Sequence, residues 1–224
     1  GLNYSARVNM SRFEKYDGLF AEQGGFDIPE SYGAGIAFKL TKNTDVAFDI
    51  MQISYSDVAS IGNPGPNAFD PTDFNPLCPP PAPDTAECKL GGSLGLGFGW
   101  TDQTVYKLGF SHKLNERHTV RIGWNHAKAP IPEDQVLFNM LAPGVVEDTF
   151  TLGYTYITDK DWLTSYFGGK HGEITLNYTH GFENTVKGPT MFYEGGNGAP
   201  QDGSTNAAIS LVIDTIGISY GIRF

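Results

Sequence analysis

Along most of this chain the apolar residues fall on alternate positions. From 216 onward Ile216, Ile218, Tyr220, Ile222 and Phe224 are large and apolar, while Gly217, Ser219, Gly221 and Arg223 between them are small or polar. A strand sends successive side chains to opposite faces, so this segment has one oily face and one polar face. The same alternation predicts strands over 1–10, 31–40, 44–57, 103–114, 119–127, 147–157, 173–186 and 207–224. Two phase slips interrupt it. After Val46, Phe48 and Ile50 the apolar residues Ile53 and Tyr55 are odd-numbered, which predicts a bulge near Gln52 or the end of the apolar face. Ile209, Leu211 and Ile213 are odd where Ile216 onward are even, which predicts a bulge around Asp214 that keeps both halves oily on one side.

Long and short connections take turns between these strands. Residues 11–28, 58–101, 129–146 and 187–205 form long loops, residues 41–43 and 115–117 tight turns, and residues 158–171 a medium connection. Phe13, Tyr16, Leu19 and Phe20 recur at helical spacing, which predicts a short amphipathic helix in the first loop. Eight strands with this rhythm predict an all-β, antiparallel transmembrane β-barrel, with the long loops outside the cell and the turns in the periplasm. The nine residues from Ile216 to Phe224 span roughly 27 Å, or about 20 Å along the membrane normal at a ~45° tilt. Tyr4, Tyr32, Tyr55, Trp124 and Tyr156 lie near strand ends, where an interfacial girdle is expected. Ending on Phe224 resembles the C-terminal signature of bacterial outer-membrane barrels, so Ile216, Ile218, Tyr220, Ile222 and Phe224 read as membrane-facing residues and as a signal to the barrel-assembly machinery.

Composition agrees with a barrel. Charged residues make up 18% of the chain, below the soluble norm of about 25%. There is no apolar run near 18 residues, hence no transmembrane helix. A net charge of −10 speaks against nucleic acid, because phosphate binding needs clustered Lys and Arg. Gly1 already lies inside a patterned segment, so a leader and more have been removed or this is the C-terminal part of a longer chain. Cys78 and Cys88 bracket a Pro-rich tip, and in an oxidising compartment they would form a disulfide. A metal site needs further ligands, and no His lies within twenty residues of either cysteine. GGSLGLGFG lacks the Lys-Ser/Thr ending of a phosphate loop. The histidines are scattered and no nucleophile–base spacing stands out, so neither a metal, nor a cofactor, nor enzymatic activity is expected.

Four stretches carry a family likeness: GLFAEQGGFDIPESYGAGIAFK, FDIMQISYSDVASIGNP, GFGWTDQTVYKLGF and, most specifically, APIPEDQVLFNMLAPGVVEDTFTLGYTY. They resemble the FadL/TodX family of hydrophobic-compound channels. The resemblance implies monomeric fourteen-stranded barrels of the bacterial outer membrane, plugged by an N-terminal hatch. Their substrates are long-chain fatty acids or aromatic hydrocarbons. The present chain would then supply the last eight strands, without the hatch.

An apolar solute crossing a saccharide layer needs apolar surface on the outer side of its carrier. Phe13, Tyr16, Leu19 and Phe20 in one loop, and Val136, Leu137, Phe138, Met140 and Leu141 in another, supply it. They serve either to pack the barrel mouth or to contact ligand, and both roles can hold together. The resemblance puts the first loop at the family's external capture groove. On the polar face Arg7, Lys39, Lys107, Arg121 and Arg223 either meet a fatty-acid carboxylate or pair with Asp49, Glu173 and hatch residues. Lys107 and Arg121, on adjacent strands, are the first choices for ligand. Expected partners are hydrophobic small molecules, membrane lipid and lipopolysaccharide. A nonspecific porin and a structural or adhesive barrel are the competing readings.

Overall fold

Each alternating segment forms a strand. The computed structural model describes residues 1–66, 75–79, 85–89, 91–159, 162–189 and 206–223. Its strands are β1 Leu2–Ser5, β2 Ser31–Thr41, β3 Thr44–Ile53, β4 Gln103–Lys113, β5 His118–Ala127, β6 Asp148–Ile157, β7 His171–Pro189 and β8 Asn206–Arg223. They pair antiparallel in sequence order into one eight-stranded sheet, open between β1 and β8. Among the described residues no helix is long and apolar enough to cross a membrane.

Register turns the alternation into rows across the sheet. One runs Phe38, Val46, Phe110, Ile122, Leu152, Tyr178 and Ile216 from β2 to β8. These side chains share the apolar face, and it is uncovered: Ile216 is 84% and Ile218 76% exposed. A soluble sandwich would bury such rows under a second sheet. The other face carries small and polar rows, such as Ala37, Ala47, Gly109, Gly123, Thr151, Thr179 and Thr215.

Polar side chains bound the apolar rows at both ends. Toward the short turns, the His118 ring lies 5.0 Å from that of Tyr156 and its Nδ1 is 2.5 Å from the Tyr154 hydroxyl. Toward the long loops, Asp148 accepts from Trp124 Nε1 at 3.1 Å and sits 3.0 Å from His126 Nδ1. Asp214 likewise accepts from the Tyr178 hydroxyl at 2.6 Å and meets His180 Nδ1 at 2.8 Å.

Several local expectations are corrected. No bulge occurs at Asp214; the register shifts between Gly181 and Asn184 on β7, where Phe182 and Glu183 oppose Val212 alone. The last strand therefore keeps one phase throughout. Asp214 stays on the apolar face, held by Tyr178 and His180, and Ile209 turns to the opposite side, buried with Ile131, Val136 and Val145. Nor is there a bulge near Gln52, because β3 pairs with β4 without a break and simply ends at Ile53. The β2–β3 shift falls instead between Lys39 and Thr41, beside the tight turn. The first strand is shorter than its pattern, since beyond Ser5 only the Val8–Ile28 bridge remains and Arg7 is drawn to Glu22 and Asp27. Residues 158–171 contain a helix, Trp162–Tyr166. The amphipathic helix of the first loop is absent: Glu14–Tyr16 is one 3-10 turn, and Ala21–Gly24 contains Glu22 and Gln23 at φ 54° and 60°, in the left-handed region.

Candidate functional site: a knitted cap at the loop end

Antiparallel order sends the β1–β2, β3–β4 and β5–β6 connections to one end of the sheet, where they knit together. Backbone hydrogen bonds join the first two: Ala21 N–H to the Leu96 carbonyl at 2.8 Å, Glu22 N–H to that of Gly92 at 3.1 Å, and Gln23 N–H to that of Gly91 at 2.8 Å. These anchors, with the Arg7–Glu22 ion pair, hold the two left-handed non-glycine residues in place.

Aromatic rings fill the centre of the cap. Phe20 is buried, 5.0 Å from the ring of Phe26, 5.1 Å from Phe98 and 5.7 Å from Phe138. Phe13 reaches the group through Phe26 at 6.0 Å. Trp100 lies 6.5 Å from Phe98 and 5.0 Å from Tyr55, and it packs against the aliphatic cluster of Ile131, Val136, Val145 and Ile209. Polar groups inside are matched. The buried Asn139 donates to the Phe98 carbonyl at 2.6 Å and the Gln135 carbonyl at 2.8 Å, and accepts from Trp100 Nε1 at 2.6 Å. Gln135 Oε1 accepts from the Gly65 N–H at 2.6 Å. Such matching removes the cost of leaving these groups unpaired away from water. Burial also pushes the Tyr55 phenol above its ordinary pKa.

The cap divides the apolar loop residues into two sets. Phe20 and Val136 are interior and Leu137 and Phe138 are half-buried, so these pack. Phe13, Leu19, Met140 and Leu141 are exposed, and they are the apolar surface available to a ligand. The Tyr16 side chain and Phe224 lie outside the described residues. Phe26, Phe98, Trp100, Tyr55 and Asn139 were not foreseen as members of the cap. Tyr55, expected in a girdle, belongs to the cap instead. The GFGW stretch was the signal at hand: Phe98 and Trp100 separated by one glycine, just before a strand.

On the polar face Lys107 and Arg121 do stand on adjacent strands, but the register keeps them apart. Lys107 faces Asp49 on one side and Asn125 on the other, whereas Arg121 is opposite Ser111. Arg121 Nη1 donates to Thr155 Oγ1 at 2.6 Å and lines a cavity of about 390 Å3 with Gly109, Gly123, Gly153 and Asn177. Arg223 Nε donates to Glu173 at 2.5 Å. Arg7 has left the sheet: it pairs with Asp27 at 2.9 Å and Glu22 at 3.3 Å and donates to the Asp57 carbonyl at 2.7 Å, tying β1 to two loops. Cys78 and Cys88 form a disulfide in the β3–β4 connection. Among the described residues no group of three or more His, Cys, Asp or Glu side chains is placed to hold a metal ion.

These features define an open wall of a β-barrel, apolar on one face and capped at one end. No protein-family model and no curated protein matches the sequence. Solved structures do. A mutant of TodX, a monoaromatic hydrocarbon channel, superposes with a TM-score of 0.52 at 20% identity, over 89% of this chain and 36% of that one. A Pseudomonas aeruginosa FadL homologue gives 0.52 at 11% identity, over 98% and 47%. The toluene transporter TodX of Pseudomonas putida gives 0.50 at 18% identity, over 89% and 35%. The chain therefore has a FadL/TodX-like fold, and spans about a third to a half of the length of those structures.

Proposed function

We propose that the chain is the C-terminal part of a bacterial outer-membrane channel that takes up hydrophobic small molecules, long-chain fatty acids or aromatic hydrocarbons among them. The eight strands would be the last eight of a fourteen-stranded monomeric barrel, with its hatch and first strands supplied by residues outside this sequence. The likeness in fold to a monoaromatic hydrocarbon channel and a FadL homologue supports this reading. So does the height of the apolar face. His118 and His126 bound it eight positions apart on β5, roughly 27 Å along the strand and about 19 Å along the normal at a ~45° tilt.

The observation that carries the proposal is the cap, where exposed Phe13, Leu19, Met140 and Leu141 stand over an aromatic interior at the end that would face outward. An apolar solute gains free energy by leaving water for such a surface, and loses nothing by moving on to another apolar site. A polar-solute pore gains nothing from it.

Replacing Leu19, Met140 and Leu141 by Ser in the full-length protein is expected to slow uptake of oleate or toluene roughly fivefold, the equivalent of about 1 kcal/mol of lost apolar contact. Barrel assembly should be unaffected, because all three side chains are exposed. Unchanged uptake by the assembled variant refutes the capture role. Swelling of protein-loaded liposomes in sugars would assign the protein to the nonspecific porins instead.

A further inference from the structure

The connection from β6 to β7 lies at the turn end of the sheet, and it is pinned on both sides. Thr158 N–H donates to the Gly172 carbonyl at 2.8 Å, and Lys170 N–H to that of Arg223 at 2.7 Å. Arg117 of the neighbouring turn pairs with Asp159 at 2.8 Å. Between these ties the Trp162–Tyr166 helix is closed by Gly168, left-handed at φ 74°, and by Gly169 N–H donating to the Thr164 carbonyl at 2.9 Å.

This helix is seated on the apolar face. The hydroxyl of the buried Thr164 lies 2.9 Å from that of Tyr220. Gly169 abuts Ile222 and the Arg223 carbonyl so closely that a Cβ there would collide. Tyr220 and Ile222 are the last described residues of β8 in the phase of Ile216 and Ile218. The helix thus prolongs the oily surface at the end where the apolar rows give way to the short turns.

Its own large side chains stay in the open. Trp162 and Tyr166 are one helical turn apart, hence on one side, and each is 79% exposed. Phe167, 55% exposed, stands edge-on to Tyr166 with ring centroids 5.1 Å apart. Three rings held out by a pinned segment call for a cover. The turns at 41–43 and 115–117 carry no aromatic residue, so this is not a general property of that end. Nor does the rest of a barrel provide the cover. A plug would meet the polar face, and a neighbouring strand would pair along the β8 edge, in the plane of the sheet. What adjoins the helix directly is the apolar face itself.

From this juxtaposition we infer that the β6–β7 connection is a membrane anchor: Trp162, Tyr166 and Phe167 insert at the boundary of headgroups and acyl chains in the lipid leaflet on the turn side. Trp and Tyr suit that boundary because each joins an apolar ring to a polar N–H or O–H. The inference rests on the apolar face meeting a bilayer, and not on what the channel carries.

The test places a nitroxide label at S165C, E116C or I122C in the full-length protein, reconstituted in phosphatidylcholine vesicles, and compares access of oxygen from the lipid with access of a nickel chelate from water. Ser165 and Glu116 are exposed, so labelling leaves the three aromatics and the fold in place. The label at 165 should lie about 5–10 Å inside the headgroup level and favour oxygen, whereas the label at 116 favours nickel. In W162S/Y166S/F167S the label at 165 should shift to the nickel-exposed pattern of 116. A nickel-exposed label at 165 beside intact aromatics overturns the anchor, and this decides even where the triple variant does not assemble. A label at 165 shielded from both reagents means that protein covers the rings, and overturns it too. Oxygen access unchanged by the three serines removes the aromatics from the role. The label at 122 separates the two readings. Lipid access at 122 with water access at 165 defeats only the anchor, whereas water access at both defeats the bilayer premise.

Discussion

Arg7 and Asp27 show how single residues decide what the cap can do. An alternating pattern places Arg7 on the polar face of a first strand, yet its guanidinium finds Asp27, Glu22 and the Asp57 carbonyl in the loops and the strand stops at Ser5. The Met10 N–H donates to the other Asp27 oxygen at 2.8 Å. That hydrogen bond first, and Arg7 after it, hold the Asp27 carboxyl below the usual carboxylate range, against the opposing effect of burial. A depressed folded pKa means that the stabilisation is present above the unfolded value, about 3.9, and is lost as pH falls through the lower folded value. The tether is therefore intact at neutral pH and loosens below about pH 4. Pepsin digestion between pH 2 and 5 should show cleavage within residues 6–30 rising toward the acid end, with Asp27→Asn cleaved readily throughout. Superimposable profiles for the two proteins would remove Asp27 from the tether. Leu19 and Phe20 show the limit of composition at this scale. They are neighbours of the same chemical kind, but Phe20 is a packed ring and Leu19 is surface. Only the positions of Phe26, Phe98 and Phe138, brought in by three loops, separate them.

At the scale of elements, the strands were legible because period-two alternation has one physical consequence, a two-faced sheet. Ile122 and Thr151 lie on opposite faces of neighbouring strands, Ile122 midway between His118 and His126, and Thr151 in the small-residue row. With the apolar face in lipid, Ile122→Lys is expected to cost about 2–4 kcal/mol of folding stability, and Thr151→Lys much less. Equilibrium urea unfolding in vesicles measures both, and equal costs would contradict the assignment of faces. What alternation does not encode is what covers a face. Ile209 and Leu211 are as apolar as Ile216 and Ile218, so an outward reading demanded a bulge at Asp214. The strand instead runs on past the edge of the apolar rows, where the 129–146 loop covers its other side and buries Ile209 with Val136. The bulge sits on β7, opposite Val212. The helical spacing of Phe13, Tyr16, Leu19 and Phe20 misled for a related reason. In a loop, apolar residues are placed by the partners that reach them, and Glu22 and Gln23 at positive φ break any helix there.

For the whole molecule, architecture was the most legible level and the cap the least. Eight antiparallel strands in sequence order, with three connections meeting at one end, follow from the alternation and the loop lengths, whereas these leave it undecided whether the sheet closes on itself. The cap depends on contacts between residues as distant as Phe20, Phe98 and Phe138, for which no local period exists. The central claim is that the uncovered apolar face meets hydrocarbon, and β5 is the place to test it, since it lies inside the sheet whatever pairs with β1 and β8. Single cysteines at 119–124 in the full-length protein, labelled with a bimane and reconstituted in vesicles, can be challenged with a lipid-borne and a water-borne quencher. Labels at Val120, Ile122 and Trp124 should be quenched from the lipid, and those at Thr119, Arg121 and Gly123 from water or not at all. Water-borne quenching of both sets, with no alternation, would contradict the account.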